Sequence, residues 1–340
     1  MRHYGIPEKI VNLVKFSYQG TSCRVFHEGQ LSDSFEIHTG VRQGCLLSPF
    51  LFILTIDWIM KETTKGRKNG IQWTLWQQLD DLDFADDIAL ISHTQTQMQE
   101  KTDHLNELAR RVGLTIHPGK SKVLKIGKVS AKEVTLGNSG LEEVTEFTYL
   151  GSIIDRKGGT EADIKARIGK ARAAFTQLQK VWKASKVSVK TKIRLFNSNV
   201  KSVLMYGCET WTTTKGTIKK LQTFVNRCLR KILKIKWEDR VRNEEVWKRT
   251  DETPMEEQLR KRRWRWIGHT LRKPPSNTTR QALQWNPQGA RRKGRPRETW
   301  RRCVERDRER TGNTWSELTK MSQDRAKWKS LVCGLCSPEG

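Results

Sequence analysis

Two adjacent carboxylates, Asp86 and Asp87, lie between apolar runs in the segment Leu82-Asp83-Phe84-Ala85-Asp86-Asp87-Ile88-Ala89-Leu90-Ile91. The pattern reads as two strands meeting at a tight turn, with both acids at the turn. Ionised neighbours repel, so such a pair is costly unless a cation sits beside it. Hard divalent ions take carboxylate oxygens and clamp the attacking and leaving oxygens of nucleotidyl transfer. The pair is therefore a candidate metal site. The plainer reading is that Asp forms turns readily and an Asp-Asp step simply ends a strand.

A hairpin of this kind needs elements to hold it. Residues 1–17 read as a short helix with Ile10, Leu13 and Val14 inward, and 21–38 as a hairpin. A polar loop follows from Gly40. Ser48-Pro49 opens a helix, with Ser as cap and Pro in the first turn. Residues 50–60 are apolar on nearly every face, which predicts a helix running through a core. Past the Asp-Asp hairpin, Thr94 or Thr96 caps a helix with Met98, Leu105, Leu108 and Val112 on one stripe, stopping at Gly113. Residues 114–116 and 122–126 read as a second hairpin around His117-Pro118-Gly119-Lys120, and a strand pair ends at Phe147-Thr148-Tyr149-Leu150-Gly151. Alternating helices and hairpins predict an α+β fold: an antiparallel sheet with helices on one side.

After Gly158-Gly159 the pattern becomes helical over 162–181, 189–205 and 215–235, with basic faces. Residues 258–310 carry 18 Lys/Arg against 4 Asp/Glu, interleaved with Trp264, Trp266, Trp285 and Trp300. Arg291-Arg292-Lys293-Gly294-Arg295-Pro296 reads as an extended basic linker. Trp315, Leu318, Trp328 and Leu331 predict a last helical unit.

Charge is divided along the chain in the same way. The 340 residues have a formal net charge of +27, yet residues 1–100 hold 9 Lys/Arg against 12 Asp/Glu. Metal chemistry suits the acidic front, and grip on a phosphate backbone suits the basic rear. No apolar run reaches the roughly 18 residues of a membrane span, and no secretory leader is seen, so an intracellular protein of nucleus or cytoplasm is expected. Seven Cys at irregular spacing suit a reducing compartment. Cys333-Gly334-Leu335-Cys336 lacks the two further ligands of a zinc site.

Four ordered motifs carry a family resemblance: Gly40-Val41-Arg42-Gln43-Gly44-Cys45-Leu46-Leu47-Ser48-Pro49, Phe84-Ala85-Asp86-Asp87, Gly113-Leu114 to Lys120-Ser121-Lys122, and Tyr149-Leu150-Gly151. Together they resemble a non-LTR, LINE-type retrotransposon reverse transcriptase. Asp80-Asp81-Leu82-Asp83 and Arg262-Arg263-Trp264-Arg265-Trp266-Ile267-Gly268-His269 make the likeness nearest to RTE-type elements. The resemblance implies a partial polymerase palm over 1–158, a helical thumb over 159–250 and a basic, Trp/Arg-rich, mostly helical region over 251–340. It implies two Mg2+ ions in the parent enzyme, with Mn2+ as a substitute, held by Asp86 and Asp87. Arg42, Gln43 and Gly44 would lie beneath template and nucleotide. Lys120 would approach the pyrophosphate leaving group as acid or charge stabiliser. Phe147, Tyr149 and Gly151 would grip the primer. RNA template, DNA primer and deoxynucleoside triphosphates are the implied partners, with no membrane.

The bland readings are a helix-entry turn for the Arg42 loop, a solvated turn lysine for Lys120 and a structural corner for the aromatics. His117 stands where the family usually has Asn. The family's earlier palm aspartate, its fingers and its endonuclease are expected upstream of Met1, so this chain is expected to be weak or inactive as a polymerase. Asp80, Asp81 and Asp83 are poor replacements, because Asp83 points to the opposite sheet face. Asp57 reads as a satisfied carboxylate in the apolar helix. The competing function is a non-catalytic nucleic-acid-binding remnant, in which Arg262, Arg263, Arg265, Arg291, Arg292, Lys293 and Arg295 meet phosphates and exposed Trp stacks on bases.

Overall fold

Short strands punctuated by residues at positive φ, with three helices between them, make up the front of the chain. The computed structural model describes residues 1–38, 40–66, 68–127, 132–286 and 298–336. They divide into two compact units, Met1–Val144 and Thr145–Gly340.

In the first unit the helices are α1 (Glu8–Tyr18), α2 (Ser48–Thr64) and α3 (Gln95–Arg111). The strands are β1 (Ser22–Cys23), β2 (Phe26–His27), β3 (Gln30–Leu31), β4 (Phe35–Glu36), β5 (Ile71–Gln72), β6 (Gln78–Leu79), β7 (Asp81–Phe84), β8 (Asp87–Leu90), β9 (Lys122–Leu124), β10 (Thr135–Leu136), β11 (Ser139–Gly140) and β12 (Glu142–Val144). Thr94 caps α3 in a reciprocal box with Gln97, and Gly113 takes φ 78° just past its end, as the sequence predicts. The core joins Ile59 and Met60 of α2 to Leu105 and Leu108 of α3, and Ile88 and Leu90 of β8 pack on it. Helices thus cover one face of the β7–β8 hairpin, while Leu82 and Phe84 on the other face are exposed.

Three local expectations are corrected. Among the described residues the strands form two-stranded ladders rather than one sheet, because most strands are two residues long and offer few ladder bonds. Residues 122–124 do not close a hairpin with 114–116. β9 pairs in parallel with β12, and Leu114 and Ile116 turn onto the core instead. The apolar side chains of α2 are fully buried only towards its C-terminal end, where α3 crosses it; Phe50 and Ile53 near its start are exposed. Apolar content on every face predicted burial along its whole length, but only a crossing partner can supply burial.

The second unit begins with the hairpin β13 (Glu146–Tyr149) and β14 (Ser152–Asp155). Helices follow: α4 (Glu161–Gln177), α5 (Gln179–Lys183), α6 (Val189–Leu195), α7 (Ser202–Leu204), α8 (Lys215–Ile232), α9 (Asn243–Thr250), α10 (Met255–Leu271), α11 (Thr278–Ala282), α12 (Trp300–Arg310), α13 (Trp315–Ser322) and α14 (Arg325–Leu335). Six residues of π-helix, Phe196–Lys201, join α6 to α7. One core gathers residues from Ile164 to Leu259 and another those from Trp264 to Val332. α10 contributes Met255 and Leu259 to the first, and Trp264, Ile267 and Leu271 to the second. Its buried residues recur at helical spacing, and each such side chain contributes about 1.5–3 kcal/mol on burial.

The tightest contact in this unit is at Gly268, where α10 meets α14. A Cβ there would lie 2.1 Å from Trp328 Nε1, and that nitrogen already donates to Trp264 O at 3.0 Å. Because Trp328 is buried, it has no room to move. Gly268→Ala is expected to destabilise this unit by about 1–3 kcal/mol through overpacking, read as a lower urea midpoint for loss of helical circular dichroism.

Candidate functional site

The Asp-Asp hairpin has a two-residue turn. Phe84 pairs with Asp87, leaving Ala85 and Asp86 as the central residues. Ala85 takes φ 56°, the left-handed region that favours glycine and costs an L-residue about 1–2 kcal/mol. The register sets which side each acid faces. Asp83 is opposite Ile88 and Asp81 opposite Leu90, so both share the helix-covered face. Asp87 lies opposite Phe84 on the open face, and Asp86 is exposed at the tip. Asp83 therefore does not join Asp86 and Asp87. Partial burial beside the helices, then the carboxylates of Asp81 and Asp57, push the Asp83 carboxyl up to about 7. Asp83 keeps an edge exposed to solvent.

A buried lysine holds the base of this hairpin. Lys101 of α3, 1% exposed, donates to Asp80 Oδ1 at 2.9 Å, Asp80 O at 3.0 Å and Ile91 O at 2.8 Å. Those carbonyls lie where the two strands enter and leave. The sequence carried a signal for this: Lys101 falls on the stripe of Met98, Leu105, Leu108 and Val112 at heptad spacing. Asp57 is satisfied, as expected, by Tyr4 Oη at 2.5 Å and Lys61 Nζ at 2.7 Å. Its carboxyl is held below the usual range, by Lys61 first and Tyr4 second.

The Gly40–Pro49 loop is exposed at Gln43 and Gly44. Gly40 and Gly44 take φ 93° and 82°, with open space where a Cβ would stand at each. Arg42 is tied back to the end of α1: it donates to Ser17 O at 2.5 Å and Thr21 Oγ1 at 2.6 Å, and lies 5.1 Å over the Tyr18 ring. Ser48, predicted to cap α2, instead donates its hydroxyl to Arg42 O at 2.6 Å and pins the loop. Lys120 ends a single 3-10 turn, Pro118–Lys120, and is exposed.

Phe147, Tyr149 and Gly151 belong to the β13–β14 hairpin of the second unit, with Phe147 and Tyr149 half-buried. Leu150 and Gly151 form its turn, both at positive φ. Arg167 of α4 and Tyr206, just past α7, brace that turn. Arg167 donates to Gly151 O, Tyr206 Oη donates to Leu150 O at 3.0 Å, and the Arg167 guanidinium lies 4.3 Å over the Tyr206 ring. Buried Asp163 accepts from Ile153 N at 3.0 Å and Trp211 Nε1 at 2.8 Å. The sequence reading missed Asp163, Arg167 and Tyr206, since nothing local links them to the hairpin.

In the basic region, burial redirects the expected phosphate contacts. Arg263 is 3% exposed and donates to Trp211 O at 2.9 Å, and burial holds its guanidinium below the ordinary value. Arg262 donates to Met205 O at 3.0 Å. Arg265 reaches solvent. Arg291, Arg292, Lys293 and Arg295 lie outside the described residues. Three of the interleaved tryptophans pack in or on the core rather than offering faces to bases: Trp264 stacks near Trp315 and Trp328, and Trp266 meets Trp300 edge-on. α10 and α12 needed apolar partners, and these rings supply them.

No set of three metal-ligating side chains converges among the described residues. Asp86 and Asp87 alone offer two hard carboxylates. That donor set suits one Mg2+-like ion completed by water and substrate phosphate, and falls short of a two-ion cage. Among the described residues no helix is long and apolar enough to cross a membrane.

Comparison with known proteins covers the segment that holds the hairpin and the loop. Residues 1–154 match the reverse transcriptase (RNA-dependent DNA polymerase) family, and residues 174–206 match a domain of unknown function. The chain is similar to a transposon-derived protein of Caenorhabditis elegans, 26% identical over 75% of this chain and 96% of that one. It is similar to the RNA-directed DNA polymerase from mobile element jockey of Drosophila funebris, 25% identical over 70% of this chain but 26% of that polymerase. It also resembles the Pol polyprotein of a type-2 retrotransposable element of Drosophila melanogaster, 28% identical over 58% of this chain and 18% of that protein. Against those two polymerases it spans only about a quarter of the length or less. Residues 1–154, a little under half of the chain, thus carry the likeness to the reverse transcriptase family. That segment and these relatives support a reverse transcriptase of a LINE-type, non-LTR element.

Proposed function

We propose that this chain is the palm portion, thumb and C-terminal region of an RNA-directed DNA polymerase, working in its parent protein by two-metal nucleotidyl transfer. The observation that carries the reading is the Asp86-Asp87 turn, set on an open sheet face with helices behind it, inside the segment matched by the family. Residues 1–158 would be palm, 159–250 thumb and 251–340 the basic region. A bound Mg2+ would lower the barrier by activating the primer 3′-hydroxyl and neutralising phosphate charge. Asp86 and Asp87 would hold it. Gln43 and Gly44 present an exposed loop whose backbone template and nucleotide can approach, with Arg42 setting the loop's anchorage. Lys120 is exposed and able to meet a leaving pyrophosphate. Phe147, Tyr149 and Gly151 form a braced hairpin suited to a primer. RNA template, DNA primer and deoxynucleoside triphosphates are the partners.

Two carboxylates are too few for a two-ion site, so the chain by itself should be a weak or inactive polymerase. Primer extension on an RNA template with Mg2+ tests this. The expected result is no DNA synthesis above an Asp86→Ala control. Robust synthesis abolished by Asp86→Ala would keep the site and overturn the inactivity; synthesis indifferent to that substitution would overturn the site. The second reading, a binding remnant without chemistry, is favoured by the basic second unit. It predicts steeply salt-dependent nucleic-acid binding with no synthesis in any longer form of the protein.

A further inference from the structure

We infer that the C-terminal end of α8 and the turn after it form a binding platform for single-stranded nucleic acid, with Trp237 stacking on an unpaired base. The inference rests on the nucleic-acid partnership proposed above and adds a site and a strand state to it.

Residues 215–234 hold seven Lys/Arg and no Asp or Glu. One side of α8 is sealed: Leu221, Val225, Cys228, Leu229 and Ile232 are buried in the core. Lys220, Arg227 and Lys231 are exposed at i, i+7 and i+11, so they line one face over about 16 Å. Lys234 and Lys236 continue the positive charge past the helix end and are also exposed. A strand of such density draws a polyanion, and its length matches a few nucleotides rather than a small anion.

Charge alone would describe a solvated helix face. Trp237 does not fit that description. It is 95% exposed, although every tryptophan of the Trp/Arg-rich region described above is at least partly buried. Its turn is built rather than slack. Ile235 N donates back to Arg230 O at 3.0 Å, closing α8 with Lys234 at φ 57°. Asp239 Oδ2 accepts from Lys236 N at 2.6 Å, and Arg240 takes φ 47°. Arg230 donates to Val241 O at 2.8 Å, and Leu233, Ile235 and Val241 pack on the core. The segment is thus anchored at both ends and presents an indole to water between cations. An aromatic face beside a cationic track recognises a base with its phosphates, and a base is available for stacking only where the strand is unpaired. Glu238 is the turn's remaining carboxylate; Asp239 is engaged with the backbone.

The test is fluorescence anisotropy of the full chain with labelled oligo-dT, oligo-rU and a blunt duplex. Trp237→Ala, at an exposed site, should weaken binding to both single strands about fivefold to a hundredfold, equivalent to about 1–3 kcal/mol per stacked base, and leave duplex affinity unchanged. Trp237→Phe should restore most of the loss. Replacing Lys231 and Lys234 by Gln should flatten the salt dependence for single strands by about 0.7 per lost phosphate contact. A larger loss on RNA than on DNA, or the reverse, names the preferred strand and supports the platform equally. Single-strand affinity unchanged in Trp237→Ala, or lost equally on the duplex, overturns the inference while leaving the polymerase reading standing. A parent chain that binds none of the three overturns both.

Discussion

Lys101→Met is expected to destabilise the front unit by about 3–5 kcal/mol, a large part of what a unit of this size possesses. The ammonium is almost wholly buried and has three acceptors: the Asp80 carboxylate and the carbonyls of Asp80 and Ile91. Methionine matches its length and apolar stem but donates nothing, so it strands three acceptors at the hairpin base. The effect should be local. Hydrogen exchange in the full chain should show protection lost over residues 80–91 while α8 and α10 keep theirs. Unchanged protection at 80–91 would show that strand pairing alone holds the hairpin. Asp80→Asn should cost less, because Asp80 keeps some solvent and the carbonyl contacts survive.

Asp307→Ala carries the second large effect, about 3–5 kcal/mol on the second unit. Asp307 of α12 is buried and serves three donors: Arg260 Nε at 3.1 Å, Trp264 Nε1 at 3.1 Å and Arg263 Nη1 at 3.6 Å. Arg260 also has Glu256, at 3.2 Å. Arg263 has no second carboxylate partner among the described ion pairs, so removing Asp307 leaves a guanidinium buried without a counter-charge. Asp307→Asn keeps an acceptor for Trp264 and loses only charge, so it should fall between parent and Ala. Urea denaturation followed by tryptophan fluorescence reports the loss, because Trp264 lies at the centre of that core. Equal midpoints for parent and Asp307→Ala would mean that apolar packing alone carries the α10–α12 contact.

Each of these substitutions removes a charge whose importance is invisible in composition. In a chain with 64 Lys/Arg, most cations are interchangeable with their neighbours. Lys101, Arg263 and Arg167 are exceptions only because helices bury them against particular carbonyls and carboxylates. The sequence reading assigned Arg262 and Arg263 to a phosphate backbone; burial assigns Arg263 to the core, and half-buried Arg262 is turned onto Met205 O. It assigned Trp264 and its neighbours partly to bases, and stacking with one another occupies them. Trp237, 95% exposed beside Lys234 and Lys236, is an exposed aromatic that the density of basic residues further on had obscured.

What the sequence by itself determined was local and periodic. The Asp86-Asp87 hairpin, its acids at the turn, the Thr94 cap, the stripe of Met98, Leu105 and Leu108, and the Gly113 stop follow from turn chemistry and 3.6-residue spacing, which act within a few residues. The family follows from four short motifs in order. What only the tertiary structure decided was pairing and burial across the chain: β9 with β12 rather than with 114–116, α2 covered only where α3 crosses it, Ser48 closing a loop instead of capping a helix. These depend on which distant surfaces meet. The free energy of desolvating a charge or covering an apolar face belongs to the pair of surfaces, and neither segment encodes it alone.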